Sequence, residues 1–171
     1  MSAFDSLLDG AFPLKPFPDM TLRQAVLADQ TMSRKISEDE WDRAADLDRG
    51  RTWRSYSDDE LIACSLGLAH LSESGFVYYI PAFMSFACKY IDVAWPHKSW
   101  ELVGAVVFGL TNRSAYNLSR LKQFSTAQRD VVVQFLELVA RSQSDDATEA
   151  KKALARYWKT DEATKPLIIV P

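Results

Sequence analysis

Residues 76–93 read F-V-Y-Y-I-P-A-F-M-S-F-A-C-K-Y-I-D-V, and the conformation assigned to this run decides the fold. It is too apolar and aromatic to present any face to water for long, yet it carries Lys89 and Asp92. It also falls short of the roughly 20 apolar residues that cross a membrane. A buried central helix satisfies both facts. Pro81 fits such a helix in its first turn, where a missing N–H costs nothing, or as a kink that offers neighbours two differently inclined halves.

Outward from this run, S-E-S-G at 72–75 reads as the connection into the helix, and Trp95 with Pro96 as its end. Ser57 with Glu60 has the spacing of a capping box and opens a helix over 57–71 through Leu61, Ile62, Cys64, Leu66, Leu68 and Leu71. Tyr56 precedes it as a hydrophobic staple, and Gly67 marks a close helix contact at some cost in propensity. Further upstream, Ser37 with Glu40 and Thr21 with Gln24 are two more capping boxes. The Ser37 helix turns Trp41, Ala44, Ala45 and Leu47 inward and stops at Gly50. Six acids between Glu38 and Asp48 miss the spacing of a calcium loop and read as a solvated helix face. Residues 3–8 form a short helix that packs Phe4, Leu7 and Leu8 and ends at Gly10. Prolines 13, 16 and 18 then force an extended path over 11–19. Phe12, Leu14 and Phe17 anchor that path to the surface of the domain, with an interaction arm as the alternative.

Downstream, a helix runs from about Ser99 through Phe108, L-T-N-R-S breaks it at 110–114, and residues 116–124 are amphipathic through Leu118 and Leu121. Ser125 with Gln128 is a fourth capping box, before V-V-V-Q-F-L-E-L-V-A, and a last helix covers 147–158. The tail P-L-I-I-V-P at 166–171 reads as extended. The expected fold is therefore all-α: one domain over 1–171, a compact multi-helix bundle of about seven to nine helices around the central apolar helix.

The totals agree with this. A chain of 171 residues with 47% apolar and 25% charged side chains has enough material for a core and is too apolar for disorder. Its net charge of -3 supplies no global field for a phosphate backbone. Cys64 and Cys88 lie in apolar helices without C-x-x-C spacing and read as buried free thiols. The start M-S-A-F-D-S-L-L-D-G has no basic and apolar signal pattern, which makes the cytoplasm the expected location.

Four segments together carry a resemblance: P-x-x-F-P-D-M near the start, W-R-S-Y-S-D-D-E-L, G-F-V-Y-Y-I-P-A-F-M, and F-S-T-A-Q-R-D-V-V-V-Q-F-L followed by A-R-Y-W. Over about residues 13–158 the chain resembles an uncharacterised family of small bacterial helical proteins, with the Y-Y-I-P-A-F-M block as the most specific element. That family has no established activity, so the resemblance gives no residue a catalytic role. Small bacterial proteins of this character also include immunity proteins that neutralise toxin domains.

Read for chemistry, the sequence yields little. His70 and His97 have no metal-ligand spacing, no G-x-S-x-G or phosphate-binding glycine loop occurs, and no catalytic, cofactor-binding or metal-ligating residue is assigned. The best surface candidates for partner binding are Arg51, Trp53, Arg54, Tyr56, Asp58 and Asp59, since Trp, Tyr and Arg dominate protein-binding hot spots. The competing reading has Trp53 and Tyr56 sealing a loop against the central helix while the arginines answer nearby acids. Arg113 is an anion-binding candidate in the 110–114 break. The expected function is non-catalytic binding of another protein, with homo-oligomerisation left open and no membrane contact. Two rivals remain: a small-molecule enzyme with a carboxylate, tyrosine and arginine site between helices, and weak nucleic-acid binding through Arg113, Arg120, Lys122 and Arg129.

Overall fold

A computed structural model describes residues 2–31, 33–93 and 97–160. The expected helix end at Trp95 and Pro96 and the expected extended tail at 166–171 lie outside them. Among the described residues there is no strand, and ten α-helical segments form a compact bundle. They are α1 (Ala3–Ala11), α2 (Leu22–Gln30), α3 (Glu38–Asp46), α4 (Asp58–Ala63), α5 (Gly67–His70), α6 (Glu73–Tyr90), α7 (Trp100–Thr111), α8 (Ala115–Leu121), α9 (Thr126–Arg141) and α10 (Ala147–Ala153). A 3₁₀ turn, Trp53–Ser55, precedes α4, and a π-type turn, Leu154–Trp158, extends α10.

Helix α6 is the internal post. Phe76, Tyr78, Tyr79, Ile80, Pro81, Ala82, Phe83, Met84, Phe86 and Ala87 are all buried, which leaves this part of the helix no solvent face. A helix apolar around its circumference must be wrapped. Helices α1, α4, α7, α8 and α9 all touch α6, while α2 packs on α5 and α10 on α9. The helix opens three residues before the aromatic run, because Ser72 caps it by accepting a hydrogen bond from the Gly75 N–H at 3.1 Å. Pro81 consequently falls in the middle of the helix, where it leaves the Val77 carbonyl without its usual helical donor.

All four expected capping boxes form, at Thr21, Ser37, Ser57 and Ser125. Elsewhere tertiary packing overrides the pattern. The helix expected over 57–71 splits into α4 and α5, and Leu66, expected within its apolar series, stands 65% exposed. At the junction the N–H groups of Ser65, Gly67 and Leu68 reach carbonyls three residues back. This tightened winding brings Gly67 against α2, where a Cβ would lie 2.9 Å from Val26 Cγ2 and 3.1 Å from the Val26 backbone nitrogen. Leu7 and Leu47, expected inside, face outward. Gly10 does not end α1; the stop falls at Phe12, held extended by the proline that follows it. Gly50 does end its turn, in the left-handed region at φ +72°.

Candidate functional site

The 51–59 segment folds into one patch, with its aromatic rings turned inward. Trp53 is 2% and Tyr56 8% exposed, and Tyr56 packs edge-on to Tyr79 of α6 at 5.9 Å. Arg51 lies over the Tyr56 ring at 4.2 Å and forks onto Glu60 at 2.7 and 3.0 Å. Arg54 covers the Trp53 ring at 4.5 Å, pairs with the Asp9 carboxylate and donates to the Asp5 carbonyl at 2.9 Å. Asp58 accepts from Lys89 Nζ and Tyr90 Oη, both at 2.9 Å, and Asp59 pairs with Lys98. The six residues are thus brought together, and all four charged ones have partners within the chain. A hollow of about 360 Å³ opens beside them, lined by Trp53, Arg54, Tyr56 and Asp58 with Ser85 and Lys89 of α6.

The Arg51 fork, together with the Ser57 cap, holds the Glu60 carboxyl at about 2, well below its ordinary 4.5. A carboxyl depressed in the folded state stabilises above its unfolded value and loses that contribution as pH falls toward the folded one. We therefore expect thermal stability to drop between pH 4.5 and about 2, and the drop to be shallower in Glu60→Gln. Melting curves across that range check this. Equal slopes for the two proteins would refute it.

Asp48 is buried close to Tyr56 and pairs with Arg23 at 3.9 Å. Its Oδ2 accepts from the Arg23 N–H at 2.8 Å, while its Oδ1, the Arg23 Nε and the Tyr56 hydroxyl make no hydrogen bond. Burial first, then Tyr79 and Asp48, pushes the Tyr56 phenol well above its ordinary value, so it remains protonated at neutral pH. Carboxylate, tyrosine and arginine groups converge here, and Arg54, Tyr56 and Asp58 also share the lining of the hollow, of which Asp48 is not a part.

The remaining sequence candidates separate. His70 pairs with Asp29 at 2.9 Å, and His97 stacks on Tyr90 and meets Ser99, so the histidines serve different neighbourhoods. Burial raises the Cys64 thiol and pushes Cys88 up to about 12. Both cysteines are free, Cys64 fully buried and Cys88 partly so. No group of His, Cys, Asp and Glu among the described residues is arranged to hold a metal. Arg113 is exposed at the turn before α8, but Arg120 is only 4% exposed and Arg129 donates to the Phe124 and Leu121 carbonyls. Of the four residues of the local basic face expected from the sequence, Arg120 is therefore withdrawn into the core.

A larger groove, about 590 Å³, lies under the proline-rich stretch. One wall is Phe12, Pro13, Pro16, Phe17 and Pro18; the other is the first turns of α6 with Val77 and Tyr78; Gln123 and Gln128 close the end. Tyr78 fixes the arm by donating to the Leu14 carbonyl at 3.0 Å and by an edge contact with Phe17 at 6.1 Å. Asp19 ties the arm to the α6 N-terminus by accepting from Ser72 at 2.7 Å and from Ser74. Those two hydroxyls hold its carboxyl below the ordinary value. Phe12 is buried as an anchor, whereas Leu14 and Phe17 stay 42% and 43% exposed.

A family model of unknown function, DUF6714, matches residues 9–162. The chain belongs to that family. No curated protein and no solved structure matches it. The DUF6714 span takes in every residue of both groove walls and the whole 51–59 patch. Among the described residues of this DUF6714 protein, no helix is long and apolar enough to cross a membrane. The 51–59 residues are neighbours in sequence and can be grouped without the fold. The groove cannot be, because residues 12–19, 72–78 and 123–128 meet only after folding; aromatic residues spaced between prolines are its one signal in the sequence.

Proposed function

We propose that this DUF6714 protein is a non-catalytic protein-binding domain, working in the bacterial cytoplasm as an immunity-type or regulatory partner of another protein. The observation that carries the reading is Phe17 on the wall of the 590 Å³ groove, left half out of the core together with Leu14 of the same arm. Apolar side chains bordering an open, mainly apolar hollow gain by being covered, and a partner surface supplies the cover. The arm itself is held by Asp19, Tyr78 and the buried Phe12, so its rim is pre-formed and little ordering entropy opposes docking. Around the 51–59 hollow, Arg54, Asp58 and Lys89 supply rim charges, which govern association rate and partner choice more than affinity.

The test is capture from a lysate of the source cells on the immobilised full chain. A discrete protein should be retained in near-stoichiometric amount, and Phe17→Asp should lose it. A folded sample that retains nothing overturns the reading. Undiminished capture by Phe17→Asp removes the observation on which it rests.

A further inference from the structure

We infer that the groove between the proline arm and α6 receives a short extended segment of the partner that carries a lysine or arginine beside apolar side chains; this rests on the protein-binding reading above. The charge of the walls selects the occupant. Asp19 and Glu73 are the charged residues lining the groove; Asp19 accepts from the Ser72 and Ser74 hydroxyls and Glu73 from the Gln123 amide at 2.8 Å, so among the described residues both carboxylates have neutral partners and neither forms an ion pair. Lys15, the cation on the arm, lies 5.8 Å from the Phe17 ring centroid and is not part of the wall. An anion would meet the Asp19 carboxylate, which the Ser72 and Ser74 hydroxyls hold beside the first turn of α6, and like charge disfavours it. The Asp19 carboxyl is held low by Ser74 and Ser72 and stays charged, so a cation entering this end meets a permanent counter-charge.

The rest of the wall sets the shape of the ligand. Phe17 and Tyr78 present aromatic rings, which suit both a cation and an aliphatic stem. With prolines at 13, 16 and 18 the arm lacks three backbone N–H groups, so a segment cannot join it as an added strand and recognition must go through side chains. A volume of 590 Å³ lies in the range of about 300–1,000 Å³ that encloses a drug-sized ligand, equivalent to a few side chains. Leu14 and Phe17 continue the apolar contact beyond the hollow, and an occupant that covers them is longer than a free amine.

The full chain, labelled for detection of side-chain amides by NMR, is titrated with three pools of acetylated hexapeptides centred on Leu-Arg-Leu, Leu-Glu-Leu and Ser-Arg-Ser, and with acetyl-arginine amide. The Leu-Arg-Leu pool should bind and shift the Gln123 and Gln128 amide signals, which report the closed end of the groove. Glu73→Lys should weaken that binding about tenfold, while Glu101→Lys, an exposed change on α7, should leave it unchanged. Failure of every pool, equal binding of the Leu-Glu-Leu pool, equal binding of acetyl-arginine amide, or indifference to Glu73→Lys each overturns the inference. A lysate partner captured equally by wild type and Glu73→Lys rejects the groove and leaves protein binding standing. Charge-selective peptide binding with no lysate partner rejects the protein-binding role and leaves the groove's chemistry standing.

Discussion

Phe124→Ala lowers the stability of the folded chain by about 3–5 kcal/mol, the cost of deleting a buried phenyl ring and leaving its cavity. Phe124 sits in the short link between α8 and α9 and is 4% exposed. Its ring meets three others edge-on: Phe12 at 6.2 Å, Phe76 at 6.2 Å and Trp158 at 5.9 Å. These rings come from the end of α1, the central helix and the π-type turn after α10, so one side chain joins three parts of the chain that are distant in sequence. Edge-to-face pairs add to the value of simple burial, which places this substitution at the upper end for a phenylalanine. Chemical denaturation checks it: the midpoint should fall with the slope unchanged. A shift under about 1 kcal/mol would mean that the three rings close on one another without Phe124. Because Phe12 also forms part of the groove wall, the same variant should loosen the arm before global unfolding, visible as lost amide protection over 12–19.

What could be read from the sequence, and what could not, divides by the range of the interaction. Capping boxes are contacts across three residues, and the pairs at Thr21, Ser37, Ser57 and Ser125 form as their spacing implies. The central helix was legible for a similar reason, since a run with no polar face has nowhere to go but inside. Misreadings occur where a distant partner decides. Leu66 is pushed outward because Gly67 must approach the backbone of α2, and α2 lies far back in the chain. The residues of 51–59 lie together because they are neighbours in sequence, but the direction of their rings depends on Tyr79, which only the folded helix supplies. Leu14 and Phe17 looked like anchors equal to Phe12; only Phe12 finds a cavity between Phe124 and the core. Nothing local separates the three.

Arg120 is the clearest such case, and removing it has the second large effect. By sequence it belongs to a string of basic residues from 113 to 129 and looks like part of a surface. In the fold its guanidinium lies between the Phe76 ring at 4.3 Å and the Tyr116 ring at 4.6 Å. It donates to the carbonyls of Leu68 at 3.1 Å and Ala69 at 3.4 Å, and to the Asn117 side-chain oxygen. Those carbonyls belong to α5, a single turn, whose C-terminal carbonyls have no helical donor of their own. Burial lowers the pKa of Arg120, but a guanidinium remains charged in any protein interior. Among the described residues no carboxylate pairs with it; carbonyl dipoles and two aromatic faces hold the charge. Arg120→Met fills much of the same volume and stacks on the same rings, so its cost isolates the polar contacts. With the buried Leu68 carbonyl and the Asn117 side-chain oxygen left unsatisfied inside the protein, we expect a loss of about 2–4 kcal/mol. Arg120→Lys should recover only part of it, because a point ammonium cannot fork to several acceptors while lying flat between two rings. Phe76 touches both Arg120 and Phe124, so the double variant Phe124→Ala, Arg120→Met should cost less than the sum of its parts. Equilibrium unfolding of the four proteins gives the coupling directly. A neutral Arg120→Met would show that the α5 carbonyls find water instead, and that this residue was held for a surface after all.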